Sequence, residues 1–495
     1  MKPTKHYYNA AWHNKKKINF QINQLPRTLA GTKLHAVSLA ATLVHASLFS
    51  HVALAIQDNI TLPSTTISII GVDNSIIGDL PIVGGSRTSF TEIPNLTGIQ
   101  RNIANTLDTL CNTTSNTQIQ VHCTTLLALS NPIASDALDE LAPDEIPAQI
   151  TSALILTNTH LNTVAARLQN LRYSTLNKEI DKFLLSTNKA APTLLSNTIT
   201  NEHNPSGGGA SADNFIGGRT SIFFSGQFSK GDKDSSYLEQ GYDFDTQGLI
   251  AGADYHRTSS TSVLGGALGY STMDSDFHAP GGNQESTAWT LLGYGTHYLS
   301  DPMYLDWIVS YGDTDHSTNR NIPSLGSLTT GSSNGNQYGF SLNAGADFNR
   351  GNSILSPYGR IEFINATIDA YTESGGAGFA IHYDEQKSKS LTTAIGGRFA
   401  SAISSSWGIL SPSIYAEWIH EFEDDSRQIT SHFVSSPSTP FSVQTDAPDR
   451  NYFNIGTAIA ATFSGGKSAF INYDTTLALE GASYHRFDIG FRMAF

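Results

Sequence analysis

Beyond residue 219 the chain alternates between apolar and polar positions with period two, the mark of β-strands that show different faces to different surroundings. Tyr338, Phe340, Leu342, Ala344, Ala346 and Phe348 alternate with Gln337, Gly339, Ser341, Asn343, Gly345 and Asp347. Leu305, Trp307, Val309 and Tyr311 repeat the pattern, as do Phe453, Ile455, Ile459, Ala461 and Phe463. Twelve such segments are predicted: 219–229, 242–257, 261–274, 286–299, 302–315, 335–349, 353–368, 387–401, 406–421, 449–463, 467–478 and 483–495. Each is long enough to cross an outer membrane when tilted.

Their connections divide into two classes. Those after the even-numbered segments are short, such as Ser300-Asp301 and Arg350-Gly351-Asn352, whereas those after segments one, three, five, seven and nine are predicted to be long and polar. Outer-membrane barrels have short periplasmic turns and long extracellular loops. A soluble sandwich has no reason to segregate its loops in this way. The expected fold is an all-β transmembrane barrel of twelve antiparallel strands, preceded by a small, mainly α region.

The last segment adds an address. Ile489, Phe491, Met493 and Phe495 form one apolar row that ends on the final residue of the sequence. An exposed edge of that kind invites aggregation unless lipid covers the face and closure removes the edge. Asp488, Gly490, Met493 and Phe495 resemble the C-terminal signal of bacterial outer-membrane barrels, which implies recognition by the barrel-assembly machinery.

Residues 96–203 read as helical. Ile150, Leu154, Leu161, Val164, Leu168 and Leu171 keep a three-four spacing, with Thr157 at the missing step. Pro143 suits a first turn, and Arg167 and Arg172 suit the far end of the helix dipole. This helix, 143–172, is expected to pack on shorter helices near 98–110, 118–130 and 133–141, while 177–200 competes with it to fill the barrel. Residues 56–95, rich in Ile, Thr, Val and Gly, predict an extended or β-rich tail, and 204–218 a flexible linker.

Leu34–Ala55 is moderately apolar, follows a basic flank with Lys15, Lys16 and Lys17, and ends Ala53-Leu54-Ala55. It reads as a signal peptide spanning 1–55, with cleavage between Ala55 and Ile56 and a secretion translocon as partner; a membrane anchor is the alternative. The net charge of −14 becomes more negative once this basic segment is removed, which argues against nucleic-acid binding. Cys111 and Cys123 are the two cysteines, and export favours a local disulfide over free thiols; His122 alone cannot complete a zinc site.

The barrel segments resemble the C-terminal translocator domain of bacterial autotransporters, the type V secretion barrel. The likeness is carried by Gly241–Leu249 with Gly252–Tyr255, Leu264–Ser271, Pro357–Phe363, Glu417–Phe422 and Phe470–Asp474. Leu96–Arg101 and Ala137–Glu145 are similar to a segment that precedes the barrel in some members. The resemblance implies an outer-membrane protein, set in lipid, whose N-terminal passenger is moved to the cell surface. Some family barrels cleave their passenger with acidic lumen residues, but nothing in this sequence assigns such a role.

No H-E-x-x-H or Walker loop occurs, and the one G-x-S-x-G string, Gly331–Gly335, has no predicted helix after it to make a nucleophile elbow, so no catalytic residue, cofactor or metal is assigned and a non-enzymatic passenger for adhesion or surface interaction is expected. Arg360, Glu362, Arg398, Glu417, Glu421 and Arg492 fall on lumen positions by alternation. They are expected either to contact a threaded segment or to pair with one another. The rival functions are a passive pore whose helices stay periplasmic, and a barrel-embedded hydrolase.

Overall fold

A computed structural model describes residues 87–143, 145–187, 220–256, 262–278, 281–463 and 467–494, with the backbone alone for 173–187 and 494. The signal segment with Ala55 and Ile56, the tail before residue 87, the linker 204–218 and Phe495 lie outside the described residues. Of the tail, residues 87–95 carry a 3₁₀ turn, Phe90–Glu92, instead of a strand.

Four helices come first: α1 Gly98–Thr113, α2 Thr117–Leu127, α3 Asn131–Leu141 and α4 Pro147–Thr187. The start of α1 follows from its sequence. The Thr97 hydroxyl accepts from the Gln100 backbone, and Gln100 Oε1 accepts from Thr97 N at 2.8 Å, a reciprocal capping box. Cys111 and Cys123 form a disulfide that ties α1 to α2. The long helix begins at Pro147, four residues later than the sequence predicts, and just before it Ile146 N donates to the Pro143 carbonyl.

Twelve strands follow: β1 Thr220–Lys233, β2 Tyr242–His256, β3 Ser262–Phe277, β4 Gly282–Tyr298, β5 Met303–Ile322, β6 Ser327–Ala346, β7 Ser353–Ile368, β8 Gln386–Ser401, β9 Gly408–Glu421, β10 Asn451–Phe463, β11 Lys467–Leu477 and β12 Ala482–Ala494. Each pairs antiparallel with the next, and β12 pairs with β1 from Ser221↔Ala494 to Lys233↔Ala482, so the sheet closes on itself. The β11–β12 pair needs Gly490, where a Cβ would lie 2.2 Å from the Phe470 ring.

The outer face is apolar, with Phe224, Leu268, Ile361, Ile395, Ile459 and Ile489 exposed. Toward the long-loop end it carries an aromatic girdle in which Tyr270 meets Trp289 and Tyr473 meets Phe487, each at 4.7 Å. Trp407 and Phe463 pack together at the short-turn end, their ring centres 5.5 Å apart. An apolar band bounded by aromatic rings is what a bilayer requires of a barrel.

Two expected long loops are absent. β3 and β4 are joined across 278–281, and β5 and β6 across 323–326, because the polar residues between the membrane segments extend the ladders in full register. These tall strands stand beyond the girdle and support α1–α3. The two longest connections, after β7 and β9, do contain additional structure: short strands at 371–372, 381–383, 428–433 and 441–444 form a small sheet. The undersides of α1–α3 share one apolar core with those loops, in which Ile103, Leu107 and Ile119 pack with Phe379, Tyr383 and Phe433. Together these helices form a cap at the long-loop end.

Candidate functional site: a helix threaded through the lumen

The helix expected to pack on its short neighbours instead runs down the barrel. The reason is visible in its side chains. A helix on a small domain exposes one face, whereas α4 buries apolar and polar residues all round: Leu161, Val164 and Leu168 are fully covered, and so are Gln149, Ser152, Thr157 and His160. Threonine hydroxyls at 151, 157, 159 and 163 return hydrogen bonds to the carbonyl one turn earlier, so they are satisfied inside the wall. The apolar row Leu161-Val164-Leu168-Leu171 packs on Phe223, Ile250, Leu292, Ile308 and Ile364.

Polar contacts then set the height of the helix in the barrel. At the long-loop end, Gln149 donates to the Tyr371 hydroxyl at 2.9 Å and accepts from Gln386. Midway, Asn158 donates to Glu362 Oε1 at 2.7 Å, His160 Nδ1 meets the Thr290 hydroxyl at 2.9 Å, and Thr163 meets Asp488 at 3.3 Å. The wall thins to meet the helix: a Cβ on Gly269 would lie 2.9 Å from His160 Nε2.

Two arginines hold the short-turn end. Arg167 donates to both oxygens of Asp254, at 2.6 and 3.0 Å, and to the Ser221 hydroxyl at 3.1 Å. Both charges are almost wholly buried, with side-chain exposures of 2% and 0%. Arg172 pairs with Asp306 and lies 3.6 Å from Asp347, its guanidinium 3.8 Å from the centre of the Tyr304 ring. These arginines read as dipole partners at a helix end in the sequence. The helix actually continues to Thr187, so their partners are barrel carboxylates. Inward-facing Asp254, Asp306 and Asp347, all beside even-numbered turns, are the signal that could have identified the pairing.

The lumen residues named from alternation divide by role. Glu362 is the one of the six seen to accept a hydrogen bond from the helix, and it lies 3.9 Å from Arg360. Arg360 donates to Glu417 at 3.0 Å, and Tyr358 and Asn454 also bind that carboxylate. Arg398 lies over the Tyr415 ring, 4.4 Å from its centre. Glu421 sits at the long-loop rim, where it accepts from Ser390, Leu391 N and Glu423 N. Arg492 faces the lumen near Arg167 and Asp254. Of the terminal address residues, Asp488 points inward to Arg486 at 3.4 Å, while Ile489 and Phe491 face outward.

The helix does not fill the barrel. It leans on one side and leaves a cavity of about 910 Å³, lined by Tyr358, Arg360, Arg398, Glu417, Asp474 and Arg486 among others.

The family described as Autotransporter beta-domain matches residues 222–474. Esterase EstA of Pseudomonas aeruginosa is 29% identical over 125 residues, which are 24% of this chain and 18% of that protein. The putative uncharacterized protein YaiT of Escherichia coli K12 is 28% identical over 163 residues, 32% of this chain and 16% of that one. The matched stretches thus span less than a fifth of these curated relatives. Among solved structures, the translocator domain of autotransporter NalP from Neisseria meningitidis aligns with a TM-score of 0.46 and 16% identity, covering 56% of this chain and 89% of that one. The beta domain of the Bordetella autotransporter Brka gives 0.44 and 18%, covering 56% and 100%.

Proposed function

The chain belongs to the autotransporter beta-domain family, and from that premise we propose that this outer-membrane translocator brings its own N-terminal helices to the cell surface and keeps them there as a docked, non-enzymatic cap. The observation that carries this reading is the course of α4. It begins under the cap at the long-loop end and passes its two arginine anchors at the short-turn end. Since short turns of such barrels face the periplasm, that course supports a position of α1–α3 outside the cell.

Retention follows from the shared core. Ile103, Leu107 and Ile119 are covered by loop residues of the barrel, so release would expose apolar surface on both sides. Polar groups join across the same boundary: Arg320 donates to the Glu140 carbonyl at 2.9 Å, and Glu140 accepts from Ser324 N at 2.7 Å. The buried polar side chains of the cap serve its own packing, as when Gln100 binds Asp139 and Asp108 binds Phe90 N. This use favours display, adhesion or another surface contact over catalysis. Export through a secretion translocon and insertion by the barrel-assembly machinery complete the proposed route.

The test is an Arg101→Cys variant, exposed on α1, treated on intact cells with a membrane-impermeant maleimide. Labelling of a chain that keeps its cap is expected. Labelling only after permeabilisation would put the helices in the periplasm and favour the pore reading. Hydrolysis of a short-chain ester by the purified chain would overturn the non-enzymatic part.

A further inference from the structure

The small sheet formed by the loops after β7 and β9 carries two histidines on its outer face. His382, on the short strand 381–383, lies directly opposite His432, on the strand 428–433. Alternation along both strands sends Ile381, Tyr383 and Phe433 into the apolar core shared with the helices and turns the two imidazoles away from it. The His382 side chain keeps 31% of its surface exposed, so an ion in solution can reach it.

The ring centres are 4.8 Å apart, with the ring planes tilted by 38°. Two imidazoles bound to one metal at about 2.0–2.1 Å have centres about 4.5 Å apart at a right angle and about 5.2 Å apart at the tetrahedral angle. The observed spacing falls between these values, so the backbone already holds the pair at chelating distance.

A hydroxyl orients one of the rings. His382 Nδ1 meets Thr372 Oγ1 at 2.7 Å, from the paired residue on the neighbouring strand. With Nδ1–H donating to that oxygen, the Nε2 lone pair is left for a metal, the arrangement that second partners impose on metal-bound imidazoles. Asp384 Oδ1 lies 3.8 Å from His382 Nε2 and adds negative charge beside the approach. Among the described residues no hydrogen bond is seen for the His432 nitrogens, and no set of three His, Cys, Asp or Glu side chains closes into a metal cage. Two protein ligands with water in the remaining positions make an open, exchangeable site.

We propose that His382 and His432 chelate a divalent transition-metal ion of the copper, nickel and zinc group, copper(II) most tightly. The ion joins the two loops whose inner faces hold the cap helices, so its binding clamps the cap. Only neutral imidazole binds, so acid releases the ion. The inference is independent of which compartment holds the cap.

The experiment titrates the purified, tag-free full-length chain in detergent micelles with copper(II) chloride, near about pH 7.5 so that imidazole is neutral. Heat-modifiable gel mobility confirms that each variant is a folded barrel. Electron paramagnetic resonance of the first equivalent should show two imidazole nitrogens on the copper. His382→Gln and His432→Gln should each weaken binding by about tenfold or more. His485→Gln, on the barrel wall beside Tyr473, should leave it unchanged. Copper should slow amide exchange over 371–383 and 428–433 in the wild type and in neither of the first two variants. No copper binding by the wild type, a one-nitrogen spectrum, or wild-type affinity in folded His382→Gln and His432→Gln would overturn the proposal. So would binding that leaves exchange in both strands unchanged, since the ion would then sit elsewhere.

Discussion

The buried pair Arg167–Asp254 provides a demanding test of how the helix is held. Both side chains are withdrawn from water, and their bonds to each other and to Ser221 replace lost hydration. Removing one partner of such a pair leaves an unpaired buried charge and costs about 3–5 kcal/mol, whereas replacing both with apolar groups is often close to neutral. At about 1.4 kcal/mol per tenfold change, the single substitutions should raise the opening equilibrium of α4 by roughly 10² to 4 × 10³. The structure adds an asymmetry. Asp254→Ala leaves Arg167 beside Arg492, two like charges without their carboxylate, while Arg167→Met leaves Asp254 near Arg492 and still bound by the Ser221 hydroxyl. Asp254→Ala should therefore be the worse of the two. Amide hydrogen exchange across 147–172 in the full-length chain reads this equilibrium directly. The expected order of protection is wild type, then Arg167→Met/Asp254→Leu, then Arg167→Met, with Asp254→Ala last. Unchanged exchange in Asp254→Ala, or a double variant as open as either single one, would refute the argument.

Three further outcomes are expected. Replacing Cys111 and Cys123 with serine frees a loop with a sequence separation of 12, which the chain-entropy relation values at about 3 kcal/mol; protease cutting within 98–127 should rise while the heat-modifiable mobility of the barrel stays unchanged. Gly490→Leu should disrupt the β11–β12 pair, since its side chain would enter the Phe470 ring, and the heat-modifiable form should be lost. Burial pushes the Asp139 carboxyl up to about 6, against the opposing hydrogen bond from Gln100. Below about pH 4 this contribution to cap stability is fully present, and it is lost as pH rises through 6, because the folded cap binds the proton more tightly than the unfolded chain. Allowing for the partial exposure of Asp139, the effect is on the order of 1 kcal/mol. Thermal unfolding of the cap should show this slope, and Asp139→Asn should flatten it; a cap more stable at pH 7 than at pH 4.5 would contradict the assignment.

By itself the sequence determined the barrel. Alternation between lipid-facing and lumen-facing positions is a local property of each strand, so the twelve segments, their inward and outward faces and the closing role of the last could all be read from residue order. The inward placement of Arg360, Glu362 and Glu417 follows from the same period. Periodicity also located the helix, but not its neighbours. A three-four apolar row is equally compatible with a helical bundle and with a barrel wall, and Thr157, His160 and Thr163 look like an exposed face until the surface opposite them is known. Only the tertiary structure decided that this face is buried against Thr290, Gln227 and Asp488. It also decided that Arg167 and Arg172 serve as anchors, that the polar residues after β3 and β5 lengthen strands, and that the helical cap shares its core with the loops. Each of these is a contact between residues far apart in the chain, and its energy comes from the partner surface, which no local pattern contains.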